Sequence, residues 1–140
     1  MARVFWDTNL FIYLMEGGPL EDVVAALLER MVLRGDRLYT SALTLGEVLV
    51  KPSSGGARDL EQRYLDFLRP PDVTVIPFDL QTAPYYARLR RDRTIRPADA
   101  MQLACAAAAE IDLFITNDDR LSRRTIPQIK FVCSLARAPI

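Results

Sequence analysis

The segment Arg3-Val4-Phe5-Trp6-Asp7-Thr8-Asn9, near the start of the chain, is an apolar run followed by an acid and two polar residues. Its apolar run predicts a buried β-strand that ends at the acidic residue Asp7. Apolar residues at helical spacing follow from position 10 to 15, and Gly17-Gly18-Pro19 then ends the segment. The chain therefore opens with a buried strand that leads directly into a helix.

The same alternation of strand and helix continues to the end of the chain. Further helices are predicted over 20–33, 43–50, 60–68, 82–93 and 97–110, and further strands over 38–40, 73–78, 112–116 and 129–134. The Ser/Gly-rich stretch from Pro52 to Gly56 is predicted as a loop. This order favours an α/β fold, a three-layer α/β/α sandwich with a mainly parallel central sheet. We expect a single domain over residues 1–140.

Composition excludes several classes of function. The 140 residues carry no net charge and no histidine. Catalysis by Ser-His-Asp or Cys-His groups and zinc sites that need histidine are therefore excluded. The two cysteines, Cys105 and Cys133, lie in apolar runs, form no CxxC motif and are predicted to be buried. With no signal peptide and no run of about 20 apolar residues, we expect a soluble, cytoplasmic protein with no membrane partner.

Four acidic residues lie where the site of such a fold would form. Asp7 follows the first strand, Glu47 lies in the helix after the second, Asp99 is near the start of the alanine-rich helix, and Asp118 follows the strand ending at Thr116. In doubly wound sheets, ligands bind beyond the carboxyl ends of the strands. Oxygen ligands suit hard divalent cations, which activate water for phosphodiester hydrolysis without an imidazole.

Each of these acids also has a purely structural interpretation. Asp7 and Asp118 are suited to capping the segments that follow them, and Asp99 lies where a negative charge favours the helix dipole. Glu47 is spaced to pair with Lys51, four residues along a helix. Its apolar neighbours nevertheless predict a buried carboxylate, which is costly without a partner. Taken together, the four positions favour a shared site.

Four segments of the chain carry a family resemblance. They are Val4–Asn9, Ser41–Val48, Asp99–Ala106 and Leu113–Asp118. In order, spacing and total length they resemble the PIN-domain ribonucleases, specifically the VapC-type toxins of bacterial toxin–antitoxin pairs. The resemblance covers essentially the whole chain and implies a PIN-like fold.

The resemblance also implies roles for individual residues. Asp7, Glu47, Asp99 and Asp118 would bind Mg²⁺ or Mn²⁺ and act as the catalytic residues of a metal-dependent endoribonuclease. Asp119 is an alternative fourth ligand, because Thr116-Asn117-Asp118-Asp119 offers two acids. The expected partners are an RNA substrate, a cognate antitoxin that inserts a segment into the groove, and a second copy of the chain in a homodimer.

Substrate contacts are expected beside the acids. Thr8 and Asn9 would hold the site or a phosphate, as would Thr116 and Asn117 in the last motif. Arg96 is the preferred phosphate contact among the arginines around Asp99 and after Asp118, because it is near Asp99 in sequence. A solvated helix face explains those arginines equally well. Of the aromatic residues, Tyr85 and Tyr86 suit either the core or stacking on bases.

Two other functions compete with the endoribonuclease. A non-catalytic PIN-like module would bind RNA or a protein without cutting, although it would not need four acids. A phosphotransfer domain would use Asp7 as the nucleophile. Phosphatases of that kind carry a second acid two residues later, where this chain has Asn9, and receiver domains carry a lysine after a late strand, whereas Lys130 opens the last predicted strand.

Overall fold

A five-stranded parallel sheet forms the centre of the protein. The computed structural model describes residues 1–140. The strands are β1 (Arg3–Trp6), β2 (Arg37–Ser41), β3 (Val73–Ile76), β4 (Leu113–Thr116) and β5 (Phe131–Ser134). They lie in the order β3-β2-β1-β4-β5, and every adjacent pair is parallel. All five predicted strands are present, and the predicted parallel sheet is confirmed.

Helices connect the strands and cover both faces of the sheet. They are α1 (Thr8–Glu16), α2 (Glu21–Arg34), α3 (Ala42–Gly55), α4 (Arg58–Phe67), α5 (Ala83–Leu89), α6 (Pro97–Ala108) and α7 (Asp119–Ser122), followed by a short 3-10 turn at Leu135–Arg137. No helix in the chain is long and apolar enough to cross a membrane.

Side chains of β1 alternate between two separate hydrophobic cores. Val4 and Trp6 pack with residues of α1 to α4, whereas Phe5 packs with residues of α6 and α7. All three side chains are fully buried. Since successive residues of a strand point to opposite faces, the two cores lie on opposite sides of the sheet. This arrangement is the predicted three-layer α/β/α sandwich.

The loop predicted over Pro52–Gly56 is wrong, because α3 continues through it to Gly55. The ring of Pro52 is buried, and its carbonyl accepts hydrogen bonds from the backbone N–H groups of Gly56 and Ala57. A proline within a helix removes one backbone hydrogen bond. Here it lies in the last turns, so little helix remains to be disrupted. Gly56 then ends the helix in the left-handed conformation, at φ 68°.

Other predicted boundaries differ from the structure by a few residues. The helix predicted over 82–93 ends at Leu89, because the chain then turns through a loop closed by its own side chains. In that loop Asp92 accepts hydrogen bonds from the backbone N–H and the hydroxyl of Thr94. Helix α7 was not expected at all. It has only four residues, too few for a periodic pattern.

The two cysteines differ in their burial. Cys105 is fully buried, as predicted, and burial raises the pKa of its thiol to about 12. Cys133 is only partly buried, because it lies on the edge strand β5, and burial raises its pKa to about 11. Both thiols are free.

Aromatic packing between the central strands should dominate stability on the α6 side. The rings of Phe5 and Phe114 stack with their centroids 4.8 Å apart, and both are fully buried. We expect Phe114→Ala to lower the free energy of unfolding by about 3–5 kcal/mol, because it leaves a cavity. Phe131→Ala is the control, since Phe131 is 68% exposed on β5. It should change stability by less than about 0.5 kcal/mol in urea unfolding. Equal losses would contradict this account of the core.

Candidate functional site

The candidate site lies where the strand order of the sheet reverses. The chain runs from β1 outward to β2 and β3, then returns to place β4 on the other side of β1. In doubly wound sheets this reversal opens a crevice at the carboxyl ends of the strands. Asp7 directly follows β1, and Asp118 comes two residues after β4.

A groove at this edge brings all four predicted acids together. The acids come from separate parts of the fold: the end of β1, helix α3, the first turn of α6 and the segment after β4. The residues that line the groove are Asp7, Thr8, Asn9, Ile12, Glu47, Arg96, Ala98, Asp99, Gln102, Asp118 and Arg120. Four carboxylates therefore share this groove with two guanidinium groups.

Asp7 is both a helix cap and a wall of the groove. One of its oxygens accepts a hydrogen bond from the backbone N–H of Thr8 (2.8 Å), and the other accepts one from the Thr116 hydroxyl (2.7 Å). Burial raises the pKa of Asp7 despite these bonds, and the negative charges of Glu47 and Asp118 raise it further. Its ordinary value would be 3.8. The capping and the site interpretations of Asp7 are thus compatible.

Glu47 lies beside Asp7 but is exposed, so the predicted burial of this carboxylate is wrong. On α3, Thr44 and Val48 point into the protein and leave Glu47 at the groove. It accepts a hydrogen bond of 2.6 Å from the Thr8 hydroxyl. The alternative pairing with Lys51 does not occur, because Lys51 bonds to Glu16 at 2.9 Å.

Asp99 occupies the first turn of α6 and is partly buried. Burial is the main cause that raises its pKa, followed by the negative charges of Asp7 and Asp118. The charges of Arg120 and Arg96 act in the opposite direction but do not cancel this effect. Its nearest cation is the guanidinium of Arg120, at 3.9 Å. Asp99 therefore lacks a close counter-charge.

The negative charge of Asp118, in contrast, is closely paired with the guanidinium of Arg120. It caps α7 by accepting from the backbone N–H of Arg120 at 2.9 Å, and the Arg120 side chain holds both of its oxygens. These hydrogen bonds and charges lower the pKa of Asp118. The neighbouring Asp119 is exposed and does not line the groove. Of the two acids in the last motif, Asp118 is the one placed with the others.

A buried glutamine that was not predicted connects these elements. Gln102 is 2% exposed, and its amide nitrogen donates to the hydroxyls of Thr44 (2.7 Å) and Thr8 (3.0 Å). Its amide oxygen accepts a hydrogen bond from the hydroxyl of Ser41. The amide thus joins α6 to the end of β2 and to the starts of α1 and α3. A large polar residue within the apolar run of α6 was the available signal.

Of the predicted substrate contacts, Thr8, Asn9 and Arg96 line the groove. The Thr8 hydroxyl is already committed to Glu47, whereas Asn9 and Arg96 are exposed.

The two contacts predicted in the last motif lie outside the groove lining. Thr116 is buried and donates to Asp7, while its oxygen accepts from the backbone N–H of Asp118 at 3.0 Å. Asn117 donates to the hydroxyl of Tyr13 at 3.1 Å. In this structure Thr116 orients two acids and Asn117 contacts α1.

The donor set of the groove fits a hard divalent cation. All of its acidic ligands are oxygens, and Asp7 has no cationic partner in hydrogen-bond contact. The two arginines offset only half of the charge of the four carboxylates. As the side chains stand, however, no three acidic groups converge closely enough to hold one ion between them. Asp118 is engaged with Arg120, so this carboxylate would have to reorient.

We expect Asp7→Asn to stabilise the metal-free protein at neutral pH by a few degrees in melting temperature. Because the pKa values of Asp7 and Asp99 are raised, the folded state binds more protons than the unfolded state just above pH 3.8. Stability contributed by these groups is therefore lost as the pH rises through their folded pKa values. Thermal melts in EDTA from acidic to neutral pH test this. A variant that is less stable than the wild type at pH 7 would contradict it.

The Gln102 network should be structurally costly to break. Gln102→Leu keeps the bulk of the side chain but leaves buried hydroxyls without their partner, so unfolding should become easier by about 1–3 kcal/mol. Gln62→Leu is the matched control, because Gln62 is exposed and bonds only to Asp66. Chemical denaturation should show a change below about 0.5 kcal/mol for the control. Similar values for both variants would mean that the network contributes little.

Comparison with known proteins places the fold and the family. Solved structures with the same fold include VapBC2 from Rickettsia felis bound to a promoter DNA fragment (TM-score 0.74, 22% identity, covering 94% of this chain and 97% of that one). A toxin–antitoxin complex from Klebsiella pneumoniae gives a TM-score of 0.67 at 23% identity (90% and 94% covered). FitAB bound to an IR36 DNA fragment gives 0.64 at 24% identity (82% and 85% covered).

Sequence comparison supplies the family. A search among curated proteins gave no significant match. The model of the PIN domain family, however, matches residues 4–126, which include all four acids of the groove. This chain belongs to the PIN domain family.

Proposed function

We propose that the protein is a metal-dependent endoribonuclease and the toxin of a type II toxin–antitoxin pair. The proposal rests on four carboxylates, from four separate parts of the fold, that line one open groove at the point where the strand order reverses. Two of them, Asp7 and Asp99, have raised pKa values and no close counter-charge. Perturbed acids that share a cleft are typical of catalytic sites.

Asp7, Glu47, Asp99 and Asp118 are the residues that would hold Mg²⁺ or Mn²⁺. A bound divalent cation supplies an activated water and stabilises the negative charge of phosphoryl transfer. Hydroxyl groups of the protein orient the carboxylates that would bind the cation. Thr8 and Thr116 donate to Glu47 and Asp7, which fixes one oxygen of each carboxylate. The second oxygen of Glu47 makes no hydrogen bond and is left for a ligand in the groove, whereas that of Asp7 accepts from the backbone N–H of Thr8.

Arg96 is the best placed of the arginines to contact an RNA phosphate. It lines the groove and is exposed, and its side chain makes no hydrogen bond or ion pair within the protein. Several of the other arginines that might have contacted RNA have structural partners. Arg90 donates to the carbonyl of Ile95, and Arg124 is paired with Asp92 at 2.8 Å.

The aromatic candidates for base stacking are structural as well. Tyr85 and Tyr86 are partly buried and pack against the core on the α6 side. Tyr86 also contacts the ring of Phe78 edge to face, and Arg88 lies over Tyr85. RNA binding would therefore depend on phosphate contacts along the groove.

A cognate antitoxin and a homodimeric assembly complete the proposed function. The antitoxin is supported by the structural likeness to VapBC2 and to a toxin–antitoxin complex. An antitoxin segment in the groove would cover the carboxylates. The homodimer follows from the family resemblance described above.

The two competing functions are less consistent with the geometry. A phosphotransfer domain needs a cation near Asp7, but Lys130 is paired with Asp112 at 3.0 Å, at the opposite edge of the sheet. A non-catalytic module would gain nothing from acids that are costly to bury near one another. The non-catalytic module would be the better interpretation if the folded, metal-binding protein cuts no RNA.

Cleavage of a pool of cellular RNAs by the purified, partner-free protein tests the proposal. We expect cleavage with Mg²⁺ or Mn²⁺ and none with EDTA. Asp118→Asn should lower the rate at least about 100-fold, since even supporting residues of metal sites matter to that extent. Asp119→Asn is the matched control and should cleave like the wild type, because Asp119 lies outside the groove.

Asp7→Asn should also abolish cleavage while the fold is retained, as judged by circular dichroism. Cleavage that persists in EDTA or in Asp7→Asn would contradict the proposed mechanism. Loss of activity in Asp119→Asn but not in Asp118→Asn would show that the wrong acid of the last motif was chosen.

A further inference from the structure

The side chain of Arg120 makes the closest ion pair of the candidate site. Its Nε donates to one oxygen of Asp118 at 3.1 Å, and Nη2 donates to the other at 2.5 Å. The backbone N–H of Arg120 bonds to the first oxygen as well, at 2.9 Å. Both oxygens of Asp118 are therefore occupied by one residue. A two-point contact of this kind fixes the relative geometry of arginine and carboxylate.

The same guanidinium also faces a second acid of the groove. Nη2 of Arg120 lies 3.9 Å from Asp99, which has no hydrogen bond of its own and no nearer cation. The group thus lies beside two acids that belong to different elements, α6 and the segment before α7. Arg96, the other cation of the groove, makes no ion pair with either acid.

Arg120 therefore occupies oxygens that a divalent cation would need. No three acids converge in the structure, and Asp118 is the one whose two oxygens are both held by a cation. We propose that Arg120 is a built-in counter-cation of the groove, which binds Asp118 in the absence of metal and is displaced when a divalent cation binds. This inference rests on the proposed metal-dependent function, and it adds a residue that competes with the metal.

The contact between Arg120 and Asp118 is exposed, which suits displacement of the arginine by a metal ion. The Arg120 side chain is 48% exposed, so the pair is screened by solvent and is weak compared with a buried one. Arg120 lies on helix α7, which has only four residues. Arg123, the residue directly after α7, is also exposed, but it makes no contact with the acids of the groove. It therefore provides a matched comparison.

Calorimetric titration of the metal-stripped, full-length protein with Mn²⁺ tests the inference. We expect Arg120→Gln to bind Mn²⁺ about threefold to fivefold more tightly than the wild type, since an exposed pair of this kind is lost. Arg123→Gln removes the same charge and should bind like the wild type. In an Asp118→Asn background, Arg120→Gln should have no further effect. Equal affinities of Arg120→Gln and Arg123→Gln, or weaker binding by Arg120→Gln, would overturn the inference.

A second measurement uses the wild-type protein and does not depend on the folding of a variant. The side-chain Nε–H signal of Arg120 can be followed by NMR during a titration with Mg²⁺. It should shift as the metal saturates the site, whereas that of Arg124, whose guanidinium pairs with Asp92, should not. An Arg120 signal that stays unchanged at saturating Mg²⁺ would overturn the inference.

The two proposals fail in different ways. If Asp7→Asn removes Mn²⁺ binding but Arg120→Gln does not strengthen it, the metal site stands and the competing role of Arg120 is wrong. If the wild type does not bind Mn²⁺, or if Asp7→Asn binds it equally well, the proposed metal site is wrong. The inference about Arg120 then fails with it.

Discussion

The enclosure of strand β1 on both edges and both faces determines where the candidate site forms. Its neighbours β2 and β4 satisfy its backbone on both edges, and the two hydrophobic cores cover both of its faces. The strand is exposed at its first residue, Arg3, whereas its carboxyl end leads from the buried Trp6 directly into the groove. Asp7 is the first residue beyond that end, so the same enclosure that stabilises the fold places a carboxylate at the base of the groove.

Neutral donors, rather than cations, hold the acids closest to β1. The hydroxyls of Thr8 and Thr116 donate hydrogen bonds to Glu47 and Asp7, respectively. The side-chain amide of Gln102 in turn donates a hydrogen bond to the Thr8 hydroxyl. Hydrogen bonds of this kind orient a carboxylate without neutralising it. A buried lysine or arginine in place of Gln102 would compensate the charge and remove the site's attraction for a cation. The network thus fixes positions while it preserves negative charge.

Much of this arrangement was predictable from the sequence. The order of strands and helices and the four acids follow from local patterns, because the periodicity of apolar residues reports directly on each element. What could not be predicted depends on contacts between distant parts of the chain. The exposure of Glu47 is one example, since its apolar neighbours in sequence turn away from it around α3. The role of Gln102 is another, because its partners Ser41 and Thr44 are about sixty residues away. The helical continuation through Pro52 depends on burial of its ring, which no local rule indicates.

The acids of the groove differ in the direction in which their pKa values are shifted. Burial raises the pKa of Asp7 and Asp99, whereas the Arg120 contact lowers that of Asp118. The repulsion is therefore borne mostly by Asp7, which has no cationic contact, and by Asp99, which Arg120 contacts less closely than it contacts Asp118. Under the proposed function, a cation in the groove would relieve that repulsion and would have to displace Arg120 from Asp118. The first change would be favourable, and because the Asp118–Arg120 pair is exposed, the loss of that pair would cost less free energy than the loss of a buried pair.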